Sequence, residues 1–200
     1  MTYTVDQFGP SDLLTSKKFA IRRVQVDVGN TGFFDGREFR FFRELDIPAG
    51  TSLWTRIIVD SGNDGFIVRS QTVEAEEGTL RLRVWKDTSL TTPPTFSAPD
   101  GLTSNVLPNN TLPSAPAYTR TTVFENGGDA DPIFNGDAEA IDILRSRSSG
   151  STSKATSNYI QAGGERGVGP GTYWLQFESI GNADVTGLYN LIFEERIGQG

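Results

Sequence analysis

The residues from Glu125 to Asp142, ENGGDADPIFNGDAEAID, concentrate the side chains of this sequence that could bind a cation or transfer a proton. Six carboxylates and three glycines occur within these eighteen positions. Carboxylate oxygens are ligands that Ca²⁺ prefers, and two carboxylates held about 5–10 Å apart can catalyse glycoside hydrolysis. The stretch is therefore compatible with a calcium loop, a catalytic carboxylate pair or an acidic turn between two strands.

The EF-hand pattern does not fit the stretch. Such a loop needs an oxygen ligand at its fifth position and a glycine at its sixth, and counted from Asp129 these positions hold Ile133 and Phe134. The pattern favours an acidic hairpin. The candidate ligands of a loop site without a consensus pattern are Asp129, Asp131 and Asp137.

Cysteine and histidine are absent from the 200 residues. Their absence excludes disulfides, thiolate and imidazole catalysis, and zinc sites built from Cys or His. Carboxylate or lysine chemistry and oxygen-ligated calcium remain. No acidic residue stands in the strongly apolar sequence context that would raise its pKa, so we predict a protein that is not an enzyme, with no catalytic residue and no cofactor.

The net charge of −7 argues against a nucleic-acid partner, because nucleic-acid-binding proteins need a cationic surface. No apolar run approaches the roughly 20 residues that cross a bilayer. Residues 1–20 lack the basic and apolar regions of a secretory signal. We expect a soluble chain that is synthesised in a cytosol and has no membrane partner.

Hydrophobic side chains recur with a period of two, which is typical of strands with one buried face. In residues 38–47, for example, Phe39, Phe41, Leu45 and Ile47 alternate with mainly polar residues. We predict strands near residues 19–28 (with a bulge at Arg22-Arg23), 38–47, 52–59, 66–75, 79–86, 118–124, 139–146, 156–161, 172–179 and 187–196. About ten short strands separated by glycine- and Asn/Asp-rich turns predict an all-β fold, an antiparallel β-sandwich of jelly-roll type.

Residues 88–117 contain six of the ten prolines and almost no charge. Proline lacks the amide hydrogen that a central strand requires. The segment is therefore predicted to be an extended loop or linker, or an arm that wraps a neighbouring subunit. Residues 19–200 then form a single β-sandwich domain interrupted by this arm, and residues 1–18 form an N-terminal anchor segment.

Three tryptophans, Trp54, Trp85 and Trp174, fall out of phase with the inward residues of their strands. Partly exposed tryptophans on a sheet either stack on sugars or are buried in a subunit interface. Arg81 and Arg83 alternate with leucines on the strand that carries Trp85. Since arginine and aromatic residues are enriched at the centres of protein contacts, we predict that these five residues form a protein interface.

Several runs resemble segments of virion structural proteins of tailed bacteriophages: RELDIPAGTSLWTRIIVDSG, VEAEEGTLRLRVWKD, GPGTYWLQFESIGNADVTGLYNLIFEER and FNGDAEAIDILRSRSSGSTSKATS. They contain a PAGTS turn, a GTL-x-L-x-V strand and a PGTYWL-x-F strand, which recur in small head-decoration, head-fibre and fibre-base proteins. The resemblance covers about two thirds of the chain and leaves out the proline-rich segment.

The resemblance implies a capsid decoration, cement or head-fibre protein that is located in the virion after synthesis in the host cytoplasm. It implies a homo-oligomer, a trimer, that binds the major capsid protein or another virion protein by surface complementarity. It implies no catalytic residue. The first alternative is a glycan- or receptor-binding β-sandwich module of a phage fibre. The second alternative is a fragment of a carbohydrate-active enzyme.

Overall fold

The computed structural model describes residues 31–94, 106–114, 116–127, 132–148, 155–159 and 166–197, and within them nearly all regular structure is β. The predicted strand at 19–28 and its bulge at Arg22-Arg23 lie outside the described residues. The elements are a short helix α1 (Thr31–Phe34) and the strands β1 (Glu38–Ile47), β2 (Ser52–Val59), β3 (Asn63–Ala75), β4 (Thr79–Lys86), β5 (Leu90–Thr92), β6 (Val106–Pro108), β7 (Val123–Gly127), β8 (Ile133–Phe134), β9 (Asp142–Arg147), β10 (Ala155–Tyr159), β11 (Arg166–Val168), β12 (Gly171–Ser179) and β13 (Val185–Ile197).

The long strands follow the predicted alternation of side chains. β1, β2 and β4 have the predicted bounds. In β1, the inward residues Phe39, Phe41, Leu45 and Ile47 are all buried, whereas Glu44 on the other face is exposed. The period of two therefore identifies the buried face of these strands correctly.

The strands form two large antiparallel sheets and one small one. The six-stranded sheet has the order β10-β3-β13-β1-β6, and β11 pairs with the same edge of β3 as β10. The five-stranded sheet has the order β7-β2-β12-β4-β9. The small sheet consists of β5 and β8 and is called the β5–β8 ribbon below.

The pairing of the strands is nested along the chain. β1 pairs with β13, β2 with β12, β3 with β10 and β11, and β4 with β9. A long hairpin of nested pairs that is folded over into two packed sheets is the topology of the jelly roll. The predicted all-β, jelly-roll-like antiparallel sandwich is thus confirmed, with thirteen strands in the described residues where about ten were predicted.

The main core lies between the two large sheets and is rich in aromatic side chains. Phe41 stacks on Phe124 with ring centroids 4.5 Å apart, and Phe193 lies 5.2 Å from Phe124. Phe177 of the five-stranded sheet meets Tyr189 of the six-stranded sheet at 5.0 Å. Each fully buried side chain of this size stabilises the fold by about 1.5–3 kcal/mol, so these contacts join the two sheets.

The strand predicted at residues 118–124 begins later than expected, at Val123. The backbone amides of Thr121 and Thr122 donate to the carboxylate of Glu195, at 3.1 and 2.6 Å to Oε1. These amides are therefore engaged by a side chain and not by a neighbouring strand. The proline-rich segment also contains short strands that were not predicted, β5 and β6.

Two glycines at turns have nearly the same backbone angle but different surroundings, which permits a matched test of local packing. Gly78, between β3 and β4, has a φ of +72°, and a Cβ there would lie 2.6 Å from the carbonyl oxygen of Asp184. Gly50, between β1 and β2, has a φ of +70° and no atom within 4 Å of such a Cβ. Each alanine variant is expected to lose about 1–2 kcal/mol of unfolding free energy, because alanine is strained in the left-handed backbone conformation.

We expect the unfolding free energy of Gly78→Ala to fall by about 1–3 kcal/mol more than that of Gly50→Ala, because only the substitution at Gly78 forces a backbone carbonyl to move. Urea unfolding of both variants measures the difference. Equal losses for the two variants would contradict the close approach of Asp184 to this turn.

Candidate interaction surface

The three tryptophans lie on the outer face of the five-stranded sheet, away from the main core. Cross-strand register places Trp174 opposite Trp85, and Trp54 lies opposite the neighbouring outward residue Gln176. Their phase was therefore predicted correctly. Their exposure was not, since Trp54 is 1%, Trp85 6% and Trp174 2% exposed.

The β5–β8 ribbon accounts for this burial, since one residue from each of its strands packs on the tryptophans. Leu90 of β5 is buried with them, and Phe134 of β8 lies 4.5 Å from Trp85 between ring centroids. The indole nitrogen of Trp174 donates to Asp87 Oδ1 at 2.8 Å. The prediction of partly exposed tryptophans is thus wrong, because the part of the outer face that carries them is covered by segments of the same chain.

Arg81 and Arg83 lie on the same outer face, beyond the area covered by the ribbon. Glu178 accepts from both, with Oε2 2.6 Å from Arg81 Nη2 and 2.9 Å from Arg83 Nη2. The Arg83 guanidinium also lies 5.2 Å from the ring centroid of Trp85. Burial lowers the pKa of Arg83 below its ordinary value, and Glu178 opposes that shift. Both side chains keep about a quarter of their surface exposed, and their role in an interface stays a prediction.

The neighbouring strand β9 extends this surface with residues that the sequence reasoning did not select. Arg145 lies directly opposite Arg81, Arg147 opposite Thr79, and Ile143 opposite Arg83. Arg145 and Arg147 are exposed, and Ile143 is 53% exposed. The signal in the sequence that could have identified these residues was the alternation of side chains in residues 142–147, DILRSR, which places Ile143, Arg145 and Arg147 on one face of the strand. We call Arg81, Arg83, Ile143, Arg145 and Arg147 the arginine surface.

The charge of the arginine surface is poorly balanced. Glu178 is shared by Arg81 and Arg83, whereas neither Arg145 nor Arg147 forms an ion pair with any residue in the described ranges. Like charges directly opposite each other on adjacent strands are destabilising, and Arg81 and Arg145 are such a pair. The arrangement is suited to a partner that supplies carboxylates.

The acidic stretch gives no metal site in the part of the chain that the structure describes. Asp137 is exposed in the turn between β8 and β9, and Asp129 and Asp131 lie outside the described residues. Among the described side chains, no group of three Asp or Glu residues could hold a metal ion. The calcium hypothesis for Asp129, Asp131 and Asp137 stays a prediction.

Parts of the proline-rich segment 88–117 pair with other strands of the same chain, whereas its Leu107 and Leu112 are more than half exposed. β5 pairs with β8, and β6 pairs with β1 at the edge of the six-stranded sheet. Asn110 Nδ2 also donates to the carbonyl of Phe33 at 2.9 Å. The arm around a neighbouring subunit stays a prediction, and residues 95–105 and the predicted anchor at 1–18 lie outside the described residues.

Two adjacent carboxylates, Glu194 and Glu195, are fully buried, which the sequence reasoning missed. Glu194 Oε1 lies 3.0 Å from Arg37 Nη1, and its other oxygen pairs with Arg69. Glu195 accepts the backbone amides that precede β7. Burial first, and then the charge of Glu195, raise the pKa of Tyr118.

The geometry of the two carboxylates indicates a structural role. Consecutive side chains of a strand point to opposite faces, so the two do not converge on one substrate position. Each is occupied by donors from its own chain. The signal in the sequence was the run LIFEER, where two acids directly follow three apolar residues.

A cavity of about 40 Å³ lies between the two large sheets. It is lined mainly by apolar side chains together with Gln71, whose amide donates to the Tyr189 hydroxyl at 3.2 Å. Burial raises the pKa of Tyr189 far above its ordinary value. Arg166 and Asp142 form an ion pair of 2.8 Å at its wall. The volume suffices for about three water molecules, which is too small for a typical organic ligand.

Fold and surface together define a jelly-roll sandwich with an unbalanced cationic surface on one outer face. No family model and no curated protein matches this sequence. Among the residues that the structure describes, no helix has the length and apolar character that a membrane span requires.

Proposed function

We propose that this chain is a structural protein of a tailed-bacteriophage virion, a capsid decoration, cement or head-fibre protein. It forms a homo-oligomer and binds the capsid or the tail by surface complementarity. The observation that carries the proposal is the arginine surface. There, charged and apolar side chains lie on the outside of a jelly-roll sandwich and are not covered by the rest of the described chain. The jelly roll is common among viral capsid proteins, although it also occurs in lectins and cupins.

The resemblance of the strand and turn runs to virion proteins supports the same proposal. The glycan-binding alternative depended on tryptophans that sugars could reach. Since Trp54, Trp85 and Trp174 are buried beneath the β5–β8 ribbon, no feature of this surface favours that alternative.

The test is whether the protein is a stoichiometric part of a particle. We expect mass spectrometry of virions purified from the phage that encodes the chain to detect it in many copies per particle. The purified protein should also co-sediment with capsids assembled from the major capsid protein of the same genome, and binding should saturate. Bovine serum albumin, a similarly acidic protein, is the control for trapping in the pellet. Absence from purified virions would overturn the proposal.

A further inference from the structure

The outer face of the six-stranded sheet carries the charge opposite to that of the arginine surface. Glu44 and Asp46 on β1 and Glu74 on β3 point outward near one end of the sheet, and the first two are exposed. Within the described ranges, none of the three forms an ion pair. We call Glu44, Asp46 and Glu74 the acidic surface.

Both surfaces contain an apolar residue among their charges. Register places Leu188 between Glu44 and Glu74, because β13 lies between β1 and β3. Leu188 is half-buried. On the arginine surface, Ile143 is flanked on its own strand by Arg145 and is more than half exposed. A protein interface typically has an apolar centre and a charged rim, and each surface has these two components.

The two surfaces also lie at the same end of the sandwich. β3 carries Glu74 close to its last residue and continues through a short turn into β4, which begins opposite Arg147. The backbone amide of Ser148, next to Arg147, donates to Gly78 in that turn at 3.0 Å. Two copies placed side by side could therefore bring the surfaces together without a shift along the strands.

We propose that the arginine surface of one copy binds the acidic surface of a second copy of this chain. The contact is heterologous, because the two surfaces belong to different sheets, so it generates a closed ring or an open chain of subunits. The chain itself supplies the complementary carboxylates that the arginine surface lacks. This inference deepens the proposed function and rests on its claim that the protein is an oligomer.

Charge reversal of each surface, followed by their combination, tests the contact. Arg145→Glu with Arg147→Glu changes the charge of the arginine surface, counted together with Glu178, from +3 to −1, and Glu44→Arg with Glu74→Arg changes the charge of the acidic surface from −3 to +1. Like charges then face each other, and we expect self-association to weaken about a hundredfold or more. The combined variant with all four changes restores opposite charges, and we expect the wild-type mass to return in light scattering.

The control variant is Lys86→Glu, which reverses an exposed charge of β4 outside the arginine surface and should leave the mass unchanged. Circular dichroism and melting temperature confirm folding, since exposed substitutions usually change stability by less than about 0.5 kcal/mol. Association of the wild type should also weaken between about 0.1 M and 1 M NaCl, as the Debye length falls from about 10 to 3 Å.

A wild-type mass of 21.8 kDa, that of the monomer, at high protein concentration would overturn the inference. So would double variants that keep the wild-type mass, or a combined variant that stays monomeric. A monomer that is nevertheless found in virions would overturn the homo-oligomer and this inference but leave the virion location and the binding to the capsid or tail standing. An oligomer that responds to these charge changes but is absent from virions would overturn only the proposed function.

Discussion

Glu194→Gln is expected to lower the free energy of unfolding by about 3–5 kcal/mol. The carboxylate is fully buried and lies against Arg37 and Arg69, whose side chains are only 12% and 17% exposed. A neutral amide removes the buried charge that faces these two largely desolvated guanidinium groups, while Arg37 keeps its ion pair with Asp35 at 3.0 Å. Removing one partner of a buried ion pair is costly for this reason, even though the intact pair contributes little net stability.

Thermal unfolding measures the effect, and each kcal/mol corresponds to about 2–4 °C for a chain of this size. The matched control is Glu139→Gln, the same substitution at an exposed position, which should change the melting temperature by no more than about 2 °C. If the two variants melted together, the carboxylate of Glu194 would have to be hydrated, and the buried cluster would be wrong.

Trp174→Ala is expected to cost about 3–5 kcal/mol, as large-to-small changes at buried aromatic positions do. The indole lies opposite Trp85 in the adjacent strand and donates to Asp87. The guanidinium carbon of Arg56 lies 5.7 Å from its ring centroid. The substitution would leave a cavity under the β5–β8 ribbon. Trp174→Phe, which keeps an aromatic ring but loses the hydrogen bond, should cost only about 1–2 kcal/mol.

The dependence of this loss on protein concentration distinguishes two origins of the burial. If Trp174 is buried by its own chain, the difference in unfolding free energy between variant and wild type is independent of concentration. If it is buried between subunits, stability depends on protein concentration by mass action, and the difference changes with dilution. Urea unfolding over a hundredfold range of protein concentration decides between the two, and we expect the difference between variant and wild type to stay constant even if the stability of the oligomer itself changes.

The fold could be predicted from sequence wherever one face of a strand is apolar and the other polar. β1, β2 and β4 are such strands, and their bounds were predicted without error. β5, β6 and β8 have two or three residues each, which is too short for a period to be recognised. β6 is a strand because the edge of β1 offers backbone groups to pair with, and β5 and β8 are strands because they pair with each other.

The site was predictable only in part, because alternation identifies a face of a sheet but not what covers that face. Trp54, Trp85 and Trp174 were placed on the outer face correctly, yet the ribbon that buries them comes from residues 90–92 and 133–134. The register in which the strands pair could not be predicted from the sequence either. Only the pairing of β4 with β9 shows that Arg145 adjoins Arg81.

Nested strand pairing has a consequence for the time at which the protein can fold. β13 lies between β1 and β3 in one sheet, and β12 lies between β2 and β4 in the other. A ribosome that has synthesised residues 31–170 has therefore made the flanking strands of both sheets but neither of their central strands. Folding must wait for residues 171–197, and the earlier strands remain open to incorrect pairing until then. Contacts between residues so distant in sequence also form slowly, so we expect the earlier strands to remain unpaired for a correspondingly long time.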